Sequence, residues 1–210
     1  MNIRQRTIKS EVSVSGVGLH TGAKVTLTFK PAPENHGYKF KRIDLPNQPI
    51  IEADVDNVSD TSRSTTLTAN GASVSTTEHV LASLVGCEVD NVLIELDGIE
   101  VPILDGSAIE FVNALESVGF KEQNAEREYY QIPHNIHYSE DERKVEMVVM
   151  PLDEYKFTCM VDYNSPVLGS QHATITSITD FKSEIASCRT FVFLHELEML
   201  LKQVELNLNF

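Results

Sequence analysis

Glu78 and His79 stand side by side in the segment Val74-Ser75-Thr76-Thr77-Glu78-His79-Val80-Leu81. An acid next to a histidine in the first turn of a helix is a pattern suited to metal-assisted hydrolysis. A neutral imidazole can ligate zinc, and the neighbouring carboxylate can take a proton from the attacking water. A plainer reading competes with this one. Glu78 lies three residues after Ser75, the spacing of a capping box, and His79 alone reads equally as an ordinary polar side chain. Other segments carry less chemistry. Cys188 beside Arg189 has the setting of an activated thiol, but no signature supplies the base such a nucleophile needs. Gly16-x-Gly18 lacks the third glycine and following helix of a dinucleotide loop. Glu140-Asp141-Glu142 reads as a solvated hairpin tip, because it lacks the ligand spacing and central glycine of a calcium loop.

The elements that must carry Glu78 and His79 are legible from periodicity. Ile8, Val12 and Val14, then Val25, Leu27 and Phe29, alternate with polar residues as half-buried strands do. Tyr38 and Phe40 open a further strand. The Asn70-Gly71 step between Thr65–Thr68 and Ala72–Val74 predicts a hairpin, since both residues tolerate positive φ. A helix capped by Ser75 follows, with Val80, Leu81, Leu84 and Val85 on one face and Gly86 as its stop. Asn91–Leu96 reads as a strand. After the loop Pro102–Gly106, Ser107 and Glu110 repeat the capping-box spacing ahead of the stripe Phe111, Val112, Leu115 and Val118.

The polar run Lys121–Glu128 is the best candidate boundary between a first domain, 1–125, and a second, 126–210. The second part starts again with strands around Tyr130 and Ile136, Val145–Val149 and Phe157–Val161. Asp180 is placed to cap a short helix through Ile185. Phe191–Gln203 reads as a longer helix, and Val204–Phe210 alternates like a strand.

Composition removes several function classes. The chain has 210 residues, with 17 Lys+Arg against 31 Asp+Glu, a net charge of −14. That balance argues against nucleic-acid binding, which needs clustered cations on phosphates, and against docking on an anionic membrane. No run approaches the roughly 18 apolar residues of a membrane span. The N-terminus has no apolar stretch of a secretory signal, so the expected location is the cytoplasm. Cys87, Cys159 and Cys188 are odd in number and widely spaced, which fits buried reduced thiols rather than disulfides or a metal knuckle.

Several segments together resemble one family, the zinc-dependent UDP-3-O-acyl-N-acetylglucosamine deacetylases of lipid A biosynthesis. They are Gln5-Arg6-Thr7-Ile8, Gly16–Gly22, Ser75–His79, Asp90-Asn91, Pro102–Ala108 and Cys188-Arg189-Thr190-Phe191, in order and at matching spacing to about Gln203. The resemblance implies an α+β fold: a two-layer β-α-α-β sandwich repeated twice, with the active site between the copies. It implies Zn2+ as cofactor and a UDP-linked acyl-glucosamine as substrate, losing its 2-acetamido group by hydrolysis. By this similarity His79 ligates zinc and Glu78 is the general base. Thr190 hydrogen-bonds the developing oxyanion, and Phe191 lines the substrate site. His20 lies on a loop near the site, and Asp105 supports it. Some relatives carry a fused hydroxyacyl-carrier dehydratase.

The chain departs from the family at one point. Relatives supply two further zinc ligands as His-x-x-x-Asp on a helix, a spacing that puts both side chains on one face. Of the seven histidines here, only His137 has an aspartate four residues on, Asp141, and that pair straddles a charged hairpin turn. One zinc ligand of the expected three is therefore present, the second sandwich copy is incomplete, and the chain is expected to be truncated, with little or no activity. The alternative is a non-catalytic binding module of the same fold that holds no metal. Acyl-chain preference is not readable, because the family's selecting segment would follow Gln203.

Overall fold

A computed structural model describes residues 3–194 and 196–199. The chain folds as a mixed α+β protein. In order it forms β1 (Arg4–Ile8), β2 (Val12–Val17), β3 (Lys24–Pro31), β4 (Tyr38–Arg42), β5 (Ile50–Glu52), β6 (Val58–Asp60), β7 (Thr66–Ala69) and β8 (Ala72–Val74). Next come α1 (Glu78–Gly86), β9 (Val92–Leu96), α2 (Ile109–Val118) and β10 (Phe120–Glu126). Two hairpins follow, β11 (Ile136–Glu140) with β12 (Val145–Val149), and β13 (Phe157–Asp162) with β14 (Ser170–Ile175).

The main sheet runs β2-β3-β9-β4-β5, antiparallel except for the parallel pair β4–β9. Its core face follows from period-2 alternation. Val25, Leu27 and Phe29 of β3, and Val92, Ile94 and Leu96 of β9, all point inward and are buried. Helices α1 and α2 lie against one another and close that face with Val80, Leu84, Phe111 and Leu115. Phe29 and Phe111 meet edge to face at 6.3 Å between centroids. Each such side chain contributes about 1.5–3 kcal/mol on burial. The small sheet β6-β7-β8 carries the expected Asn70-Gly71 turn, with φ of 52° and 75°.

Several local expectations are corrected. Neither helix starts with a capping box. At α1 the cap position is Thr77, already helical and with no side-chain cap bond. Ser75 is engaged elsewhere, its backbone bridged to Glu100. At α2 the cap position is Ala108, and Ser107 Oγ accepts from the Ile109 N–H at 3.2 Å instead. The polar run after Gly119 forms β10 and pairs antiparallel with β1. No strand forms around Tyr130. At 178–185 a 3₁₀ turn capped by Ser177 leads into a π-helical turn over Phe181–Ile185, in place of a helix capped by Asp180.

Residues around the β1–β10 pair form a network. Asn91 donates to Gln5 Oε1 and to Gln123 Oε1, each at 2.8 Å, and its Oδ1 accepts from the Gly37 N–H. Asp90 accepts from the Arg6 N–H and from the Arg127 guanidinium at 2.7 and 2.9 Å. That pairing raises the affinity of Arg127 for its proton, so the fork stays charged.

In the second part, Ile175, Phe181 and Ala186 pack with Ala108 and Val112. Ala108 N–H donates to Ala186 C=O at 3.0 Å. A Cβ on Gly86 would collide with the Phe181 ring, so glycine there is what lets the ring dock. Residues 194 and 196–199 are helical, beginning later than the expected Phe191 start. The rest of that helix and the alternating tail Val204–Phe210 lie outside the described residues. The thiols are not uniformly buried: Cys87 is half-buried, whereas Cys159 and Cys188 are exposed. Cys159 lies on a hairpin that nothing described covers. No described helix is long and apolar enough to cross a membrane.

Candidate active site

Strand β8 ends at Val74, and the chain must reverse within three residues to launch α1. Thr76 makes that reversal at φ 60°, buried and β-branched. A β-branched residue in the left-handed region is strained and persists only where its surroundings over-determine it. Thr77 holds the other side of the turn. Its N–H and its hydroxyl both donate to Thr65 C=O, at 3.3 and 3.0 Å.

Glu78 and His79 then occupy the first turn of α1, both half-buried. Glu78 Oε2 accepts from the Thr65 N–H at 2.9 Å. Its other oxygen has no partner among the described residues. His79 makes no hydrogen bond to a described residue either. An oriented carboxylate with a free oxygen beside an uncommitted imidazole suits proton transfer and ligation better than it suits helix capping.

His20 lies on the Gly18–Thr21 loop with its ring exposed. The loop is fastened by Glu100, which accepts from the His20 and Thr21 N–H groups at 2.9 and 2.8 Å. Sequence reasoning alone does not single out Glu100. Its only signal is a carboxylate set between Ile99 and Val101. Burial alone would raise the Glu100 carboxyl, but the donors from His20, Thr21 and Thr76 hold it below the usual carboxylate range.

Asp105 closes an Asx turn, accepting from the Ser107 hydroxyl and N–H at 2.7 and 3.0 Å. The Ser107 hydroxyl is the main reason its carboxyl sits below the ordinary value. Thr190 N–H donates to Gly106 C=O at 2.8 Å, and Arg189 lies 3.9 Å from Asp105. Asp105 and Thr190 are thus brought to one place. Phe191 joins Tyr163 and Phe193 in an edge-to-face trio with centroids 5.6–6.0 Å apart. No hydrogen bond or ion pair among the described residues joins Glu78 or His79 to Thr190. His137 pairs with Glu146 at 2.8 Å rather than with Asp141. Among the described residues, no three His, Cys, Asp or Glu side chains are placed to hold a metal ion.

The family model described as LpxC, UDP-3-O-acyl N-acetylglycosamine deacetylase, matches residues 5–207. The "Bifunctional enzyme LpxC/FabZ" of Chlorobaculum tepidum is 47% identical over 204 residues, 97% of this chain and 44% of that protein. The protein of the same name from Bacteroides thetaiotaomicron is 45% identical over 199 residues, 95% of this chain and 43% of that protein. A "UDP-3-O-acyl-N-acetylglucosamine deacetylase" of Methylococcus capsulatus is 42% identical over 203 residues, 95% of this chain and 66% of that protein. The chain thus spans less than half the length of the bifunctional relatives.

Proposed function

Since this chain belongs to the UDP-3-O-acyl-N-acetylglucosamine deacetylase family, we propose that its site serves to hydrolyse the 2-acetamido group of a UDP-3-O-acyl-N-acetylglucosamine in lipid A biosynthesis. The observation that carries this reading is Glu78, next to His79 in the chain, with one carboxylate oxygen fixed on the Thr65 N–H and the other without a partner among the described residues. The free oxygen accepts a proton as water attacks the amide carbon. The carbonyl oxygen becomes an oxyanion, for which the Thr190 hydroxyl is the proposed donor. Collapse of the tetrahedral intermediate breaks the C–N bond. Acetate leaves, and the proton passes to the amine. Phe191 is proposed to line the substrate site, His20 to stand near it, and Asp105 to support Thr190 through the Gly106 contact.

His79 offers one imidazole toward the family's Zn2+. A catalytic zinc needs about three protein ligands, and the described residues do not supply the others. The 210-residue chain alone therefore turns over slowly in this proposal. Two α+β sandwich domains, 1–125 and 126–210, are part of the same proposal. The names of the bifunctional relatives fit the expectation of a fused second enzyme in longer forms. The free thiols and a UDP-sugar substrate fit a cytoplasmic location.

The test combines bound zinc with acetate release from the UDP-sugar. In a longer form that supplies the remaining zinc ligands, Glu78→Ala is expected to lower turnover about 10²–10⁴-fold, the range of general-base catalysis, without lowering zinc affinity. His79→Ala is expected to weaken zinc binding. Unchanged turnover in Glu78→Ala rejects the general-base role. Stoichiometric zinc with a kcat in the usual range of about 1–10³ s⁻¹ rejects the one-ligand account. Neither zinc nor turnover in that longer form would favour a metal-free binding module.

A further inference from the structure

Glu100 is 2% exposed and lies in an otherwise apolar run. A buried carboxylate is costly unless its lone pairs are satisfied, and here they are. Oε1 accepts from the His20 N–H at 2.9 Å and the Thr76 hydroxyl at 3.1 Å. Oε2 accepts from the Thr21 N–H at 2.8 Å and the Thr21 hydroxyl at 2.7 Å. No Lys, Arg or His side chain pairs with it among the described residues. Its charge is spent on joining two segments, the loop that carries His20 and the left-handed turn at Thr76.

The surroundings are built for that junction. Gly18 cannot carry a Cβ, which would run into the Glu100 carboxylate and the Thr21 hydroxyl. The backbone on either side of Glu100 clamps the start of the turn: Ser75 N–H donates to Ile99 C=O at 2.9 Å, and Val101 N–H to Ser75 C=O at 3.1 Å. Glu78 follows two residues after Thr76. The strained turn therefore leans on Glu100 on one side and on Thr65 on the other, and Thr65 is the residue whose N–H orients Glu78.

We propose that Glu100 is a positioning residue: it locks the His20 loop to the Thr76 turn and thereby fixes the direction in which Glu78 and His79 leave the first turn of α1. The proposal rests on the reading that Glu78 and His79 carry the chemistry, and its test separates the two.

Glu100→Gln keeps the size of the side chain, but its amide group must face the N–H of either His20 or Thr21. Thr76→Ala removes only the bond to the turn and leaves the loop bonds intact. Amide hydrogen exchange by NMR is the readout independent of activity. In Glu100→Gln, the amides of His20, Thr21 and Thr65 are expected to exchange about tenfold faster, while those of Leu27 and Leu96 in the core stay within about threefold. Thr76→Ala is expected to accelerate Thr65 about threefold and to leave Thr21 unchanged. In turnover, Glu100→Gln is expected to lower kcat about tenfold with KM within about twofold, the signature of misplaced reacting groups rather than lost binding. If Thr65 keeps its wild-type exchange in both variants, Glu100 serves the loop alone and the proposal fails. If Glu100→Gln does not fold, Thr76→Ala decides by the same amide. If the exchange results hold but Glu78→Ala is fully active, the positioning stands and the catalytic reading falls.

Discussion

In β3, Val25, Leu27 and Phe29 are at most 4% exposed, whereas in β13 the similarly spaced Phe157 and Val161 are 58% and 39% exposed. Both strands place apolar residues at every second position, although Met160 interrupts the polar face of β13. The difference lies in their neighbours. Strand β3 has β2 and β9 on its two edges and a helical layer across its face. Among the described residues, strand β13 pairs with β14 alone, and β11 with β12 alone. A two-stranded hairpin is marginal by itself in water. Period-2 alternation therefore tells which face of a strand is apolar, and says nothing about whether anything covers it. The second region gains its hold through Ile175, Phe181 and Ala186 against α2. Glu78 and His79 stand on the well-packed side of this contrast, and Thr190 and Phe191 on the exposed side.

The sharpest way to break the contrast is a pair of truncations. Phe111→Ala should cost about 3–5 kcal/mol of stability by urea denaturation, the usual range for emptying a packed aromatic site. Phe157→Ala should cost under about 1 kcal/mol, as exposed substitutions do. Equal losses would mean that the β13 face is covered in solution. Next in size is the junction itself. Phe181→Ala should cost about 2 kcal/mol, less than a central core position because the ring sits at the rim of the helical layer. No loss would mean that the two regions are not docked there.

The smallest effect concerns the thiols. Burial, with the Glu116 carboxylate nearby, pushes the Cys87 thiol up to about 11. Only a minor fraction is thiolate below that pH, and the fraction rises as pH climbs toward it. Cys87 should therefore react with iodoacetamide at pH 8 at least about tenfold more slowly than exposed Cys159 and Cys188, by peptide mass spectrometry. Comparable rates at all three would show that the packing around Cys87 opens readily.

Most of the first region is legible in its local sequence pattern. The strands β3 and β9, the helices α1 and α2, the Asn70-Gly71 turn and the place of Glu78 and His79 at a helix start all follow from residues close together in the chain. What escapes local pattern is long-range. Ser75-x-x-Glu78 has capping-box spacing, but the backbone of Ser75 is claimed by residues 99–101, and Glu78 reaches Thr65 instead. The role of Glu100 depends on partners about 80 residues away in the chain. The polar sequence of β10 hides a strand because its partner is β1, at the opposite end of the region. The aromatic trio around Phe191 is out of reach for the same reason, since Tyr163 lies on a separate loop.

The fork between Arg127 and Asp90 has a mechanical meaning. The chain passes into the second region directly after β10, at the end of the β1–β10 pair where Arg4 faces Glu126. Any pull transmitted along the chain from that side arrives first at this end, where strand bonds can peel away one pair at a time. Arg127 sits at the peeling point and grips Asp90 with two hydrogen bonds. Asp90 and Asn91 lead straight into β9, the middle strand of the main sheet. The tether of the second region is thus moored to the centre of the first fold, and load bypasses the edge strands that would yield most easily.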